Sequence, residues 1–168
     1  MADGLVIDTD VICKYSQQCI DEEGDIYYLI ERMRKSCGIA ITDFIEHQWN
    51  ATCGSQLFNI WFTDNVRDGY IKYVKPYLSR DIIKQINNGF GLPQRGKDIE
   101  LIKASNVTYI RYILTTDIDL FDPKKKKASS KEKKRIKKER SGSLCKYLKK
   151  KLNIRVGLPE HCSQELYT

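Results

Sequence analysis

Apolar residues in this chain fall into two kinds of run: short unbroken ones, and longer ones with helical spacing. Leu5-Val6-Ile7 and Ile39-Ala40-Ile41 are continuous and brief, the signature of strands buried on both faces. Residues 109–115 predict a third strand and residues 154–156 a closing one. Between them the spacing predicts helices. Residues 11–19 form one, and residues 25–37 another, with Ile26, Leu29, Ile30 and Met33 on one face and Arg32, Arg34 and Lys35 near its end. Gly38 stops that helix. Asp43 opens a further helix carrying Phe44, Ile45, Glu46 and Trp49. Residues 56–88 read as mainly helical, with breaks near 64–69 and at Pro76. Residues 87–96 hold three glycines and a proline and form a loop. Helices are expected again over 97–105 and 143–152, and a polar tail after 156. Alternating strands and helices give an α/β class with a mainly parallel central sheet.

Composition narrows this further. Hydrophobic residues make up 41% and charged residues 30%, as in a folded, water-soluble domain. One domain over 1–168 is expected, with a basic insertion at about 124–142. No apolar stretch approaches the roughly 20 residues of a membrane helix. Met1-Ala2-Asp3-Gly4 lacks the pattern of a signal peptide, so a cytoplasmic location without membrane contact is expected. The six cysteines form no Cys-x-x-Cys pair and the two histidines, His47 and His161, lie far apart, which argues against structural zinc. Reduced, mostly buried thiols are the expectation.

The net charge of +7 conceals an asymmetry. Residues 124–151 hold 15 Lys or Arg and two acids, whereas the rest holds 14 basic and 20 acidic residues. An acidic body with one basic segment suits a polyanionic partner. Between 124 and 140 the apolar residues are Ala128 and Ile136, too few to bury a face, so the segment is expected to be disordered or a solvated helix.

Candidate chemistry sits at the strand tips. Leu-Val-Ile-Asp8-Thr-Asp10 ends one apolar run in two carboxylates, and Ile-Leu-Thr-Thr-Asp117-Ile-Asp119 ends another in the same way. Glu46 and Asp98 fall in the first turns of two helices. In an open parallel sheet, strand ends and the starts of following helices share one edge. Each acid has an ordinary explanation: Asp43 with Glu46 as a capping box, Asp98 complementing a helix dipole, Asp10 as an N-cap, Asp117 with Asp119 as a turn. Several mutually repelling carboxylates at one edge nonetheless cost stability unless cations neutralise them.

These motifs resemble the PIN-domain nucleases, metal-dependent enzymes that cut RNA or structured nucleic acid. Asp8 matches the family's opening aspartate and Glu46 its glutamate after the second strand. Asp98 in Gly-Lys-Asp-Ile-Glu-Leu-Ile-Lys-Ala matches its third acid, and Asp117 in Leu-Thr-Thr-Asp-Ile-Asp-Leu its fourth, with Thr115 and Asp10 in support. The resemblance implies a three-layer α/β/α fold and one or two Mg²⁺ or Mn²⁺ ions. It makes Asp8, Asp98, Asp117 and Asp119 ligands, with Glu46 a ligand or water-orienting base. It implies hydrolysis of phosphodiester bonds, in RNA before DNA, by in-line attack of an activated water. The lysines Lys124, Lys125, Lys126, Lys127, Lys133, Lys134, Lys137 and Lys138, with Arg135 and Arg140, would contact phosphates without reading sequence. An acidic inhibitor protein and a homodimer are further partners the resemblance allows. The basic insertion and the stretch 56–96 depart from the family pattern.

Two other readings stand beside this one. Asp8-Thr-Asp10-Val also meets the opening motif of haloacid-dehalogenase-like phosphatases, with Asp8 as nucleophile, Asp10 as acid/base and Asp117 with Asp122 as metal pair. A PIN-like scaffold that binds nucleic acid without cutting it is the other.

Overall fold

Two parallel ladders organise the chain in a computed structural model that describes residues 3–166, so the N-terminal Met1-Ala2 and the last two residues of the expected 1–168 domain lie outside the described residues. Strand β1 (Val6–Ile7) pairs with β4 (Tyr112–Leu114), which pairs with β5 (Arg155–Gly157); β2 (Ile39–Ile41) pairs with β3 (Ile71–Tyr73). A parallel bridge between Leu5 and Ile39 joins the two ladders, with Leu5 N donating to Gly38 O and Ala40 N to Leu5 O, each at 3.0 Å. The spatial order is therefore β3-β2-β1-β4-β5, with every pairing parallel. The chain winds outward from β1 in one direction, then returns to β4 and β5 on the other side. The switch point lies between β1 and β4, where open α/β sheets place their ligands.

Helices connect the strands: α1 (Thr9–Gln18), α2 (Asp25–Ser36), α3 (Asp43–Cys53), α4 (Gln56–Arg67), α5 (Arg80–Phe90), α6 (Lys97–Ser105), α7 (Ile118–Phe121), α8 (Ser130–Glu139), α9 (Ser143–Leu152) and α10 (Pro159–Leu166). The periodic positions of α2, Ile26, Leu29, Ile30 and Met33, are all buried, and they join the strands in one apolar cluster. Among the described residues no helix is long and apolar enough to cross a membrane.

Several expectations need correction. The third strand in chain order is Ile71–Tyr73, inside a stretch read as helical; its single buried residue, Ile71, gives no strand pattern. The polar tail folds as α10, which buries His161 and Cys162. Helix α3 is capped by Thr42, whose hydroxyl accepts from Ile45 N at 3.2 Å, so the Asp43–Glu46 capping box is not formed. Asp8, not Asp10, caps α1, whereas the expected Asp117–Asp119 turn is formed, Asp117 accepting from Asp119 N as it caps α7.

The thiol expectation fails at one pair: Cys13 on α1 and Cys53 at the end of α3 form a disulfide, because the packing of α1 against α3 brings positions 40 apart in sequence together. Cys19, Cys37, Cys145 and Cys162 are free.

The basic insertion is ordered. Ser129 caps α8 by accepting from Glu132 N at 3.1 Å, and Glu132 lies in the first turn with Lys137 and Lys138 in the last, matching the helix dipole. Ile136 is 4% exposed, so this helix does bury a face, one residue wide. Burying that side chain contributes about 2 kcal/mol. His161 adds a tie: its Nδ1 accepts from Leu158 N at 3.0 Å, which leaves the Nε2 proton to donate to Lys138 O at 2.8 Å.

Candidate functional site

The register of β1 against β4 sets Val6 opposite Ile113 and Ile7 opposite Leu114. This ladder continues one step further, with Asp8 N donating to Leu114 O at 2.9 Å, and the β4–β5 ladder does the same, with Thr115 N donating to Gly157 O at 3.1 Å. Asp8 and Thr115 are thereby neighbours at the switch point. The Thr115 hydroxyl donates to Asp8 Oδ2 at 2.7 Å and accepts from Asp117 N at 3.0 Å. One hydroxyl thus links the acid of the first strand to the acid of the fourth.

Asp117 turns the chain into α7, its Oδ1 accepting from Asp119 N at 3.0 Å. Asp98 arrives from the other side, in the first turn of α6. Gly96 precedes that helix at φ +121°, a conformation that side-chain-bearing residues rarely adopt. One carboxylate oxygen each of Asp98, Asp117 and Asp119 lie within 4.8 Å of one another. Among the described residues, the buried Oδ1 atoms of Asp98 and Asp119 meet no hydrogen-bond donor. Unpaired buried carboxylate oxygens are costly, and a hard cation is the group that would satisfy both at once.

Lys97 supplies part of the missing charge. Its ammonium lies 3.1 Å from Asp117 Oδ2 and 3.5 Å from Asp8 Oδ1, between the two strand-tip acids. Burial works against that charge, but Asp8 and Asp117 outweigh it and hold the ammonium above the usual lysine range. Asp8 is fully buried. Burial, and then the neighbouring Asp10 charge, push its carboxyl up to about 6 despite Lys97, Thr115 and Thr9. The Asp98 carboxyl is likewise pushed up to about 6, by burial first and Asp117 next. Asp10 stands aside, its Oδ2 accepting from both the backbone N and the hydroxyl of Thr116.

Of the acids singled out in the sequence, Asp98, Asp117 and Asp119 meet directly. Asp8 reaches them through Lys97 and Thr115, and Asp10 through Thr116. Glu46 does not share the trio's 4.8 Å neighbourhood. It is half-buried and faces the Tyr73 hydroxyl, which burial and hydrogen bonding to that carboxylate push up to about 12. His47 is exposed on α3.

The basic segment borders the acidic trio. Lys126 Nζ lies 3.6 Å from Asp119 Oδ2, and Lys137 on α8 donates to Thr116 O at 2.9 Å, against the strand-tip turn itself. Asp122 is turned away, accepting from Ser143 N at 3.4 Å and Ser143 Oγ at 3.1 Å, so it braces the start of α9.

Sequence reasoning missed Lys97. Its signal was present: a lysine in the first turn of a helix opposes the positive end of the dipole and needs another reason to be there. No family model matches this chain, and neither a curated protein nor a solved structure is similar to it.

Proposed function

We propose that this chain is a divalent-cation-dependent nuclease of PIN-like, three-layer architecture, a single domain that hydrolyses phosphodiester bonds. One observation carries the reading: three carboxylates converge at the sheet's switch point, two with buried oxygens lacking donors, beside a turn that a cationic helix touches through Lys137. Asp98, Asp117 and Asp119 are the residues that would hold Mg²⁺ or Mn²⁺, through the hard oxygen donors these ions take. Bound there, the ion would supply Lewis-acid polarisation of a phosphate oxygen and activation of water.

The chain's own residues do the rest. Thr115 and the Thr9 backbone N hold the Asp8 carboxylate in one orientation. Lys97 already supplies a positive charge between Asp8 and Asp117, which favours one bound ion over two. Its ammonium would compensate negative charge as it builds on a bound phosphate. Lys137 and its neighbours on α8 would hold flanking phosphates over the acids. RNA is the expected substrate on the strength of the sequence resemblance.

The phosphatase reading fits Asp8 beside Lys97 but loses its metal pair, because Asp122 serves α9 instead. The test is incubation of labelled single-stranded RNA and duplex DNA with Mn²⁺, Mg²⁺ or EDTA. Cleavage should require the metal and fall at least about 100-fold in Asp98→Asn, the loss expected for a group that stabilises transition-state charge. No cleavage of any nucleic acid at high protein concentration, or full activity in Asp98→Asn, overturns the reading.

A further inference from the structure

A second charged feature lies outside the acidic centre. A cavity of about 450 Å³ opens between α9, β5 and α10, lined by Arg140, Lys146, Lys149, Lys150 and Arg155, with Glu165 as its sole acid. The three lysines are spaced i, i+3, i+4 on α9 and so form one exposed stripe. Among the described residues they make no ion pair.

The two arginines are held in place. Glu165 pairs with the Arg140 guanidinium through Oε1 and with Arg155 at 3.2 Å through Oε2. Arg155 also lies over the Tyr112 ring, 5.1 Å from its centroid, and Tyr112 OH donates to Glu165 at 3.4 Å. One carboxylate thus orients two guanidinium forks, each with more donors than it uses. The dipole of α9 accounts for Lys149 and Lys150, which stand in its last turn. It does not account for Lys146 or for arginines brought in from two other elements. Gathering five cations around one carboxylate is repulsive unless an anion joins them.

We propose that this cavity is a phosphate-binding subsite that takes a backbone phosphate of a nucleic-acid strand. The end of α8 favours a strand over a free nucleotide: Lys137 touches the acidic centre's Thr116, and Arg140, the residue that ends the helix in a left-handed conformation three positions later, lines the cavity. Cationic side chains therefore stand at both sites within one short stretch of chain. The cavity would anchor the strand at a distance from the acids, and its role does not depend on whether the acids cut.

The test is fluorescence anisotropy of a labelled single-stranded RNA in EDTA, where cleavage plays no part. The triple variant K146Q/K149Q/K150Q changes exposed residues and should fold normally. It should bind about 10-fold more weakly than the unaltered chain. The slope of log affinity against log salt should fall by about 0.7, the loss of one phosphate contact to a single strand. Inorganic pyrophosphate at millimolar concentration should compete with RNA for the unaltered chain and lose that effect in the variant. A control, K14Q/K35Q/K72Q, removes the same charge from exposed positions elsewhere and should cost much less. Equal losses in the two variants, or RNA affinity unchanged in K146Q/K149Q/K150Q whether or not pyrophosphate binds, would overturn the subsite. Because the assay reads binding without metal, its failure leaves the cleavage experiment to judge the acidic centre separately.

Discussion

At the scale of single residues, the centre is a contest between buried acids and the cations available to them. The Asp8 and Asp98 carboxyls both stand at about 6, raised from 3.8. Between about pH 4 and 6 the cation-free folded chain therefore holds protons that the unfolded chain has released. Stability must fall as pH rises through that window. In EDTA, thermal unfolding should occur several °C higher at about pH 5 than at about pH 7.5, a difference of roughly 1–3 kcal/mol. Mn²⁺ should stabilise more at the higher pH, where it finds the acids ionised; equal stabilisation at both values would argue that the trio holds no metal. Lys97 enters the same contest as a resident competitor. Removing its charge in Lys97→Met should tighten Mn²⁺ binding about tenfold, or about 1.4 kcal/mol, read by calorimetry. Unchanged affinity would mean that the ammonium and the ion do not share a site. Gly96 sets the geometry from behind, since its φ of +121° starts the turn that carries Asp98. Gly96→Ala should cost about 1–2 kcal/mol in chemical denaturation.

At the scale of elements, what was legible depended on whether the signal was local. The α2 face, the bounds of α6 and α9, and the acidic tips of β1 and β4 all follow from spacing within a few residues. Helix α8 is capped locally by Ser129, yet what docks it, the buried Ile136 with the His161 and Lys137 ties, comes from across the fold. The same holds for Cys13 and Cys53, 40 apart and joined only because α1 packs on α3. Strand β3 presents one buried residue to the core, too little to outweigh its helical flanks. Two predictions follow from these long-range contacts. Ile136→Ala should cost about 2 kcal/mol or more for the removed side chain. Because Ile136 is the one buried side chain of α8, the loss should appear as faster amide hydrogen exchange in α8 with the body's protection retained; uniform deprotection would show that α8 is integral to the core. Reducing the Cys13–Cys53 bond should lower stability by about 2–4 kcal/mol, the usual effect of opening a loop of this length. Helix α1 carries Asp8 and Asp10 at its start, so Mn²⁺ affinity measured before and after reduction would show how far the bond also fixes the centre.

At the scale of the whole molecule, the charge asymmetry and the sheet topology lead to the same place. An order of β3-β2-β1-β4-β5 leaves one crevice, at the tips of β1 and β4, and the acids are there. The sequence offered the two tips, but not that β1 and β4 are adjacent; that adjacency depends on the crossover through β2 and β3, and β3 was not foreseen. It also could not show that the cationic segment returns to the same crevice, since Lys137 meets Thr116 only once α7 has turned and α8 has docked. An acidic crevice repels nucleic acid, so a strand can approach it only if cations outweigh the acids around it. Lys137 on α8 touches Thr116 at the crevice, and Lys133 and Lys134 belong to the same helix. K133Q/K134Q/K137Q should therefore weaken RNA binding in EDTA and steepen the response to metal: with fewer resident cations beside the acids, an added ion neutralises a larger share of their charge, so Mg²⁺ should raise affinity by a larger factor than in the unaltered chain. Anisotropy titrations with and without Mg²⁺ read both effects. If the factor is the same in both proteins, the cations of α8 and the carboxylates beneath them act on different parts of the strand, and the crevice is not where phosphate and acid meet.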